Sequence, residues 1–478
     1  MAREGQPPSV TPVPSGPVPS GPPGHKPLRP VQMITYAAGT SAGLLLNTTV
    51  VTWVMYFYVP PPGEDGVPLI PIVAFTWIML LGRIVDALAD LPVAYFSDRT
   101  HSRFGRRMPY IVALGLPTVV VYWLLWSPPA AGLSILNVIY FAVSINLFFV
   151  IYTAVYTPMM ALLPEIARTN PERIGISTWG AFFTLATTAI ASVGSGLLLD
   201  RMGYRGMAYV LGGLALVLTY LPFLTIRETP KTAREAVTIG FWDMLLRTFT
   251  NGPFLAYVVN MALFYIGFNT VISGLPYYVT VILKSSKASV GLYMGAHLAA
   301  AVAFFPVMAR IAPRIGKRRL YMWGIFTVAA LFPLFFFIGK VALPISPQVQ
   351  GIALMALVGI PLSALYMLPN PLISDCVDYD ELLTGKRREA MYYGVQNILQ
   401  NAAMALSAAA LGGLFNFFGY SAKNPAGIYL MGPAAGLCFL LAGLIFLKYP
   451  PDALAVGEWP RFTLWPFRRL PPGPVGRP

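Results

Sequence analysis

The apolar run WIMLLGRIVDALADLPVAYF holds three ionisable side chains, Arg83, Asp86 and Asp90. Spacings of three and four residues set them on one face of a helix, one above another. A pair of carboxylates at that spacing can present several oxygens to a small cation, or can share a proton because neighbouring like charges favour the neutral form of one. Either event cancels negative charge in a low-dielectric setting, which ties H+ or Na+ binding to the position of the helix. On the alternative reading Arg83 neutralises one aspartate and the set only locks helices together. That reading leaves the second carboxylate unbalanced, and an embedded charge costs several kcal/mol unless paired or hydrated.

Uncharged polar side chains form a second group. Gln396, Asn397, Gln400 and Asn401 recur at helical spacing in YYGVQNILQNAAMAL. With Asn47, Asn146, Tyr152, Tyr156, Tyr265 and Asn269 they offer amides and aromatic faces to a polar solute, or bonds between neighbouring helices. His297 stands alone in its apolar run and reads as a hydrogen-bonded packing residue. The chain has no Walker A sequence, no HExxH and no GxSxG in a suitable context, so a membrane enzyme finds little support.

The elements that hold these groups must lie in lipid. Hydrophobic residues make up 56% of the chain and charged residues 11%, against about 25% charged in soluble domains. Apolar runs long enough to cross a hydrocarbon core of ~30 Å recur at roughly 33–59, 68–97, 109–128, 132–164, 175–199, 205–226, 253–284, 288–312, 319–340, 347–376, 389–418 and 426–448. The fold class predicted is an all-α membrane protein with twelve transmembrane helices in two six-helix bundles. Its parts are a disordered Pro/Gly-rich tail (1–32), an N-terminal bundle (33–226), a linker (227–252), a C-terminal bundle (253–448) and a second tail (449–478). The first tail lacks the apolar segment of a signal peptide, so the first span itself directs insertion. Cys376 and Cys438 fall near opposite ends of helices and read as structural thiols.

Of the 33 Lys and Arg residues, 18 fall in loops after even-numbered spans, 8 in the tails and 6 in the opposite loops. By the positive-inside rule both termini are cytoplasmic, and the net charge of +14 reflects topology rather than nucleic-acid binding. SDRTHSRFGRRMPYI (97–111) and ARIAPRIGKRRLYM (309–322) each set a Gly-basic-basic turn between two spans, 211 residues apart by their glycines. That offset suits two halves related by an axis along the membrane normal.

Three segments carry a family resemblance: RIVDALAD with SDRTHSRFGRRMPYI, TPMMALLPEI (157–166) and SDCVDYDELLTGKRREAMYYGVQ (374–396). In order and spacing the chain resembles the glycoside-pentoside-hexuronide:cation symporters, the melibiose-permease-like branch of the major facilitator superfamily. The resemblance implies a secondary active transporter working by alternating access, with Asp86, Asp90 and Thr153 as the cation site and Arg83 as charge partner. Ala89 stands where sodium-using relatives often carry Asn, which tilts the reading toward H+. At the sugar-binding positions the chain departs from the melibiose-type pattern. Gly43 and Leu44 replace a Lys and an acid, Tyr156 an acid, Met160 a stacking Trp, Ala181 an Arg and Asn401 a Lys.

The solute is therefore expected to be a sugar, a glycoside or a similar small polar molecule. A lysolipid or other amphiphile is the alternative, since a lysolipid-carrying branch also resembles this family. Asn47, Tyr152, Tyr156, Asn269, Gln396, Gln400 and Asn401 are the expected cavity residues. Asp375, Asp378, Tyr379, Asp380 and Glu381, followed by Lys386, Arg387 and Arg388, are expected to form the cytoplasmic loop between spans 10 and 11. There Asp375, Asp378 and Asp380 would face the basic loops after span 2 (Arg99, Arg103, Arg106) and after span 8 and close the cytoplasmic side, or would only set topology as solvated charges. No cofactor is expected beyond the coupling ion, nor a metal beyond Na+ at that site. The partners expected are the solute and the lipid bilayer of the cell membrane, with no nucleic acid, and the chain is expected to act as a monomer.

Overall fold

The computed structural model of the protein describes residues 27–62, 67–100, 102, 105–167, 169–226, 251–341, 344–384 and 389–450. Every regular element among them is helical: α1 (Pro30–Tyr58), α2 (Ile72–Arg99), α3 (Met108–Leu125), α4 (Ile135–Ala161), the short α5 (Leu163–Ile166), α6 (Asn170–Ala189), α7 (Ser195–Thr225), α8 (Gly252–Tyr277), α9 (Lys287–Ile315), α10 (Lys317–Leu331), α11 (Pro347–Met367), α12 (Pro369–Thr384), α13 (Glu389–Phe418) and α14 (Ala426–Phe446). One-turn π segments, Ile190–Gly194 and Tyr278–Ile282, follow α6 and α8, and a 3-10 turn, Phe332–Phe336, follows α10. Starts are chemically marked. Pro30 opens α1, Ser134 and Asn251 cap α4 and α8 with side-chain oxygens, and Thr169 with Glu172 forms a capping box on α6.

Ten helical stretches among the described residues are long and apolar enough to cross a bilayer. One of them, Pro171–Thr225, runs 55 residues and breaks at Gly203, whose φ of 68° turns the chain between two spans. Helix α1, 29 residues long, is too rich in Gly, Thr and Ser to reach the same hydropathy. With these two points the described helices agree with twelve crossings. Helix α1 starts three residues before the expected limit of the tail. Most of that tail, the linker up to residue 250 and the second tail from residue 451 lie outside the described residues.

Helices α1–α4, α6 and α7 pack among themselves, as do α8–α14, and the two sets meet where α2 lies along α13, α1 along α8, and α7 along α9. The repeat read from the sequence has a structural counterpart. Gly105, ahead of α3, has φ 99° and Gly316, ahead of α10, has φ 87°. Both basic turns thus pass through backbone space that a side chain disfavours.

The sets are joined at the end of the bundle remote from the start of α1. There Ser273 Oγ donates to Val51 O (3.0 Å), Tyr56 OH to Thr280 Oγ1 (3.0 Å) and Tyr277 OH to Val59 O (2.7 Å). Close backbone approach completes the seal. A Cβ on Gly291 of α9 would lie 2.8 Å from Val193 Cα and 2.9 Å from Val193 O in the π turn after α6. Because those atoms are backbone, Gly291→Val should wedge this end open. The expected outcome is faster maleimide labelling of a cysteine placed at Met404 beneath the seal, and an unchanged rate would show that the contact does not hold the two sets together.

Candidate functional site

Arg83 is 4% exposed and Asp86 5%, so neither charge is solvated by bulk water. The guanidinium is met on three sides. Its Nη1 lies 3.6 Å from Asp86 Oδ2, its Nη2 donates to Asn47 Oδ1 of α1 at 3.2 Å, and its plane lies over the Phe149 ring of α4, 4.3 Å from the centroid. An arginine spreads charge over a flat group that suits ion pairing and ring stacking together. Gly82 makes the approach possible, since a Cβ there would stand 3.2 Å from the Phe149 ring.

On α4, two hydroxyls stand in register with the two carboxylates. Thr153 Oγ1 donates to Asp86 Oδ1 at 2.6 Å, and Thr157 Oγ1 donates to Asp90 Oδ1 at 2.9 Å. The spacing of four on α2 meets a spacing of four on α4, giving a ladder of two rungs. The rungs differ in charge. Asp86 is buried and paired with Arg83, whereas half-buried Asp90 has Thr157 as its only described partner. The set offers carboxylate and hydroxyl oxygens to a proton or a hard cation. Sequence reasoning overlooked Thr157, although the shared spacing of 86 and 90 with 153 and 157 was a signal that could have found it.

The expected solute residues divide. Asn269 lies on a small cleft between the two sets, lined also by Arg83, Met55, Met79, Ser273 and Met404. Its methionines went unnoticed in the sequence because Met reads as core. Tyr156 is not among the residues lining that cleft. It is 4% exposed and bonds Thr219 Oγ1 of α7 at 2.9 Å. A Cβ on Gly43 would lie 2.9 Å from the Tyr156 ring and 3.0 Å from Tyr152 OH. Two of the positions that depart from the family pattern, Gly43 and Tyr156, are thus packed against each other. Gln396 is also spent on packing, accepting from Tyr257 OH at 3.0 Å. Half-buried Gln400 and Asn401 form no hydrogen bond with other described residues. Met160, at the stacking position, is 63% exposed.

The acidic segment is not the expected loop. Asp375, Asp378, Tyr379, Asp380 and Glu381 lie within α12, which resumes after a break at Leu368. Asp375 does pair at 2.6 Å with Lys317, in the basic turn after span 8 expected to face it, and Asp380 is buried while Asp378 is exposed. Arg99 ends α2, Arg106 precedes α3, and Arg103 with Lys386, Arg387 and Arg388 lies outside the described residues. The cysteines are free thiols. His297 is buried with its Nδ1 unpartnered, and the Phe268 ring meets it edge-on.

An all-helical membrane bundle with a charged ladder between its helices is the architecture of a polytopic transporter. The chain belongs to the MFS/sugar transport protein family, whose profile matches residues 35–449, and that family is one of transporters, not enzymes. It is 26% identical over 454 residues to an uncharacterized symporter of Bacillus subtilis (strain 168), covering 89% of this chain and 92% of the relative. It is 23% identical to the isoprimeverose transporter of Lactiplantibacillus pentosus, covering 89% and 90%. It is also 23% identical to the sodium-dependent lysophosphatidylcholine symporter 1 of Gallus gallus, covering 78% and 79%. Among solved structures, the nucleoside transporter NupG aligns with a TM-score of 0.60 at 12% identity, covering 88% of this chain and 99% of that one.

Removing one partner of a buried ion pair strands the other charge, at a cost of about 3–5 kcal/mol. Asp86→Asn should therefore lower the thermal unfolding midpoint by several degrees, with Arg83→Met/Asp86→Leu recovering most of the loss. Asp90→Asn should cost much less. A double variant no more stable than Asp86→Asn alone would show that the pair is not a unit.

Proposed function

We propose that the protein is a cation-coupled symporter of the cell membrane in which Asp86 and Asp90, with Thr153 and Arg83, form the coupling site. The observation that carries this is the unequal ladder: one rung pairs with an internal cation, and the other holds a carboxylate with no cationic partner among the described residues. The family and its named symporters support the same reading. Burying an unpaired carboxylate is costly, so the empty and loaded states favour different helix arrangements, which is the requirement for alternating access. Both termini lie in the cytoplasm on this reading, with boundaries near residues 30–226 and 251–449 for the two bundles, and the protein acts as a monomer. H+ is the coupling ion, because Ala89 adds no oxygen and both hydroxyls already donate to the carboxylates.

The solute is a glycoside or similar small polar molecule held between the sets, with Asn47, Tyr152, Asn269, Gln400 and Asn401 within its reach. The second reading, an amphiphile, is favoured by one observation, the methionine-lined cavity against Arg83. A glycoside panel and lysolipids, tested by thermal shift on the purified protein at two pH values with and without Na+, separates the two. Stabilisation by a glycoside and by no lysolipid is the expected result. Uptake of the stabilising solute into vesicles should follow an imposed H+ gradient and lose that dependence in Asp90→Asn. Gradient-independent uptake in the parent protein would refute coupling.

A further inference from the structure

We infer that Thr157 is a positioning residue for Asp90, a two-way hydroxyl that keeps this carboxylate bonded in both its charged and its protonated state. The inference rests on the coupling role proposed above for Asp90. A hydroxyl both donates and accepts. Facing charged Asp90, Thr157 Oγ1 donates across 2.9 Å, as observed. When Asp90 takes a proton from water, its new O–H donates to Thr157 Oγ1 instead, and the threonine hydrogen must turn to another acceptor.

The fold supplies that acceptor. Pro158, the next residue in α4, has no N–H, so the carbonyl of Ala154 lacks its usual helical donor. A hydroxyl three residues along a helix reaches such a carbonyl, and Ser41 to Ala38 O (2.7 Å) and Ser407 to Met404 O (2.7 Å) do so in this molecule. Pro92 stands two residues past Asp90 in α2, so both helices carry a proline just beyond this rung. The Asp86 rung differs, because Asp86 is paired with Arg83 as well as with its threonine.

Few other groups could produce the effect. On α2, Asp86 is one turn away and Arg83 beyond it. On α4 the nearby titratable groups are Tyr152 and Tyr156, Tyr36 of α1 donates to Met159 O and buried Arg107 ahead of α3 donates to Ala161 O, and α13 carries no acid or base between Tyr393 and Phe418. The test follows the infrared band of the protonated Asp90 carboxyl on the purified full chain, identified by its loss in Asp90→Asn. Thr157→Val deletes the donor that stabilises the charged form, so the proton is held more tightly. The midpoint of that band should move up by about one pH unit, the worth of one hydrogen bond to a charge. Thr157→Ser should restore the parent midpoint, and Thr153→Val should move it far less. Thr157→Ala replaces the valine variant if that one does not purify. A titrating parent with an unmoved or lowered midpoint in Thr157→Val overturns the role of Thr157 alone. A parent in which Asp90 never titrates overturns the coupling reading with it.

Discussion

The cost of holding a guanidinium away from water is the constraint on which the first half of this molecule is built. Arg83 can be 4% exposed only because three helices supply what water would have given. The Asn47 amide comes from α1, the Asp86 carboxylate from its own helix and the face of Phe149 from α4. Moving any of the three leaves part of the charge unsolvated, so the group fixes how α1, α2 and α4 sit against one another. The register of α2 on α4 then decides that Thr153 and Thr157 fall opposite Asp86 and Asp90 rather than one turn away.

Against this fixed group stands an interface made to separate. At the end remote from the start of α1, hydroxyl-to-carbonyl bonds and glycines packed on backbone hold the two sets together. These contacts are short-ranged and few, so they are lost together when the helices tilt. The cavity beneath them touches both sets and the guanidinium.

Much of this was legible in the chain. The spans followed from apolar runs, the charged face from spacings of three and four, and the duplicated turns from Gly105 and Gly316, because each signal is local and periodic. The contents of the sugar-site positions were not legible. Tyr156 reads as a polar aromatic facing a cavity, and only packing reveals that it reaches Thr219 across the space left by Gly43. Asp375 to Glu381 read as a loop because charge outweighed helical continuity there, yet α12 carries them. Gln396 shows the same limit, since an amide at helical spacing is identical in sequence whether it faces a solute or Tyr257.

The unequal ladder has an electrical consequence. On the coupling role proposed for Asp90, with Arg83 and Asp86 cancelling each other, the site of the empty carrier would bear a single negative charge, and one bound monovalent cation would bring it to zero. Return of the empty carrier would then be the step that moves charge through the membrane field, worth about 2.3 kcal/mol for each 100 mV if the whole field is crossed. An interior-negative voltage drives a negative charge outward, so on that proposal the cell's potential would reset the carrier while the loaded form would cross without sensing it.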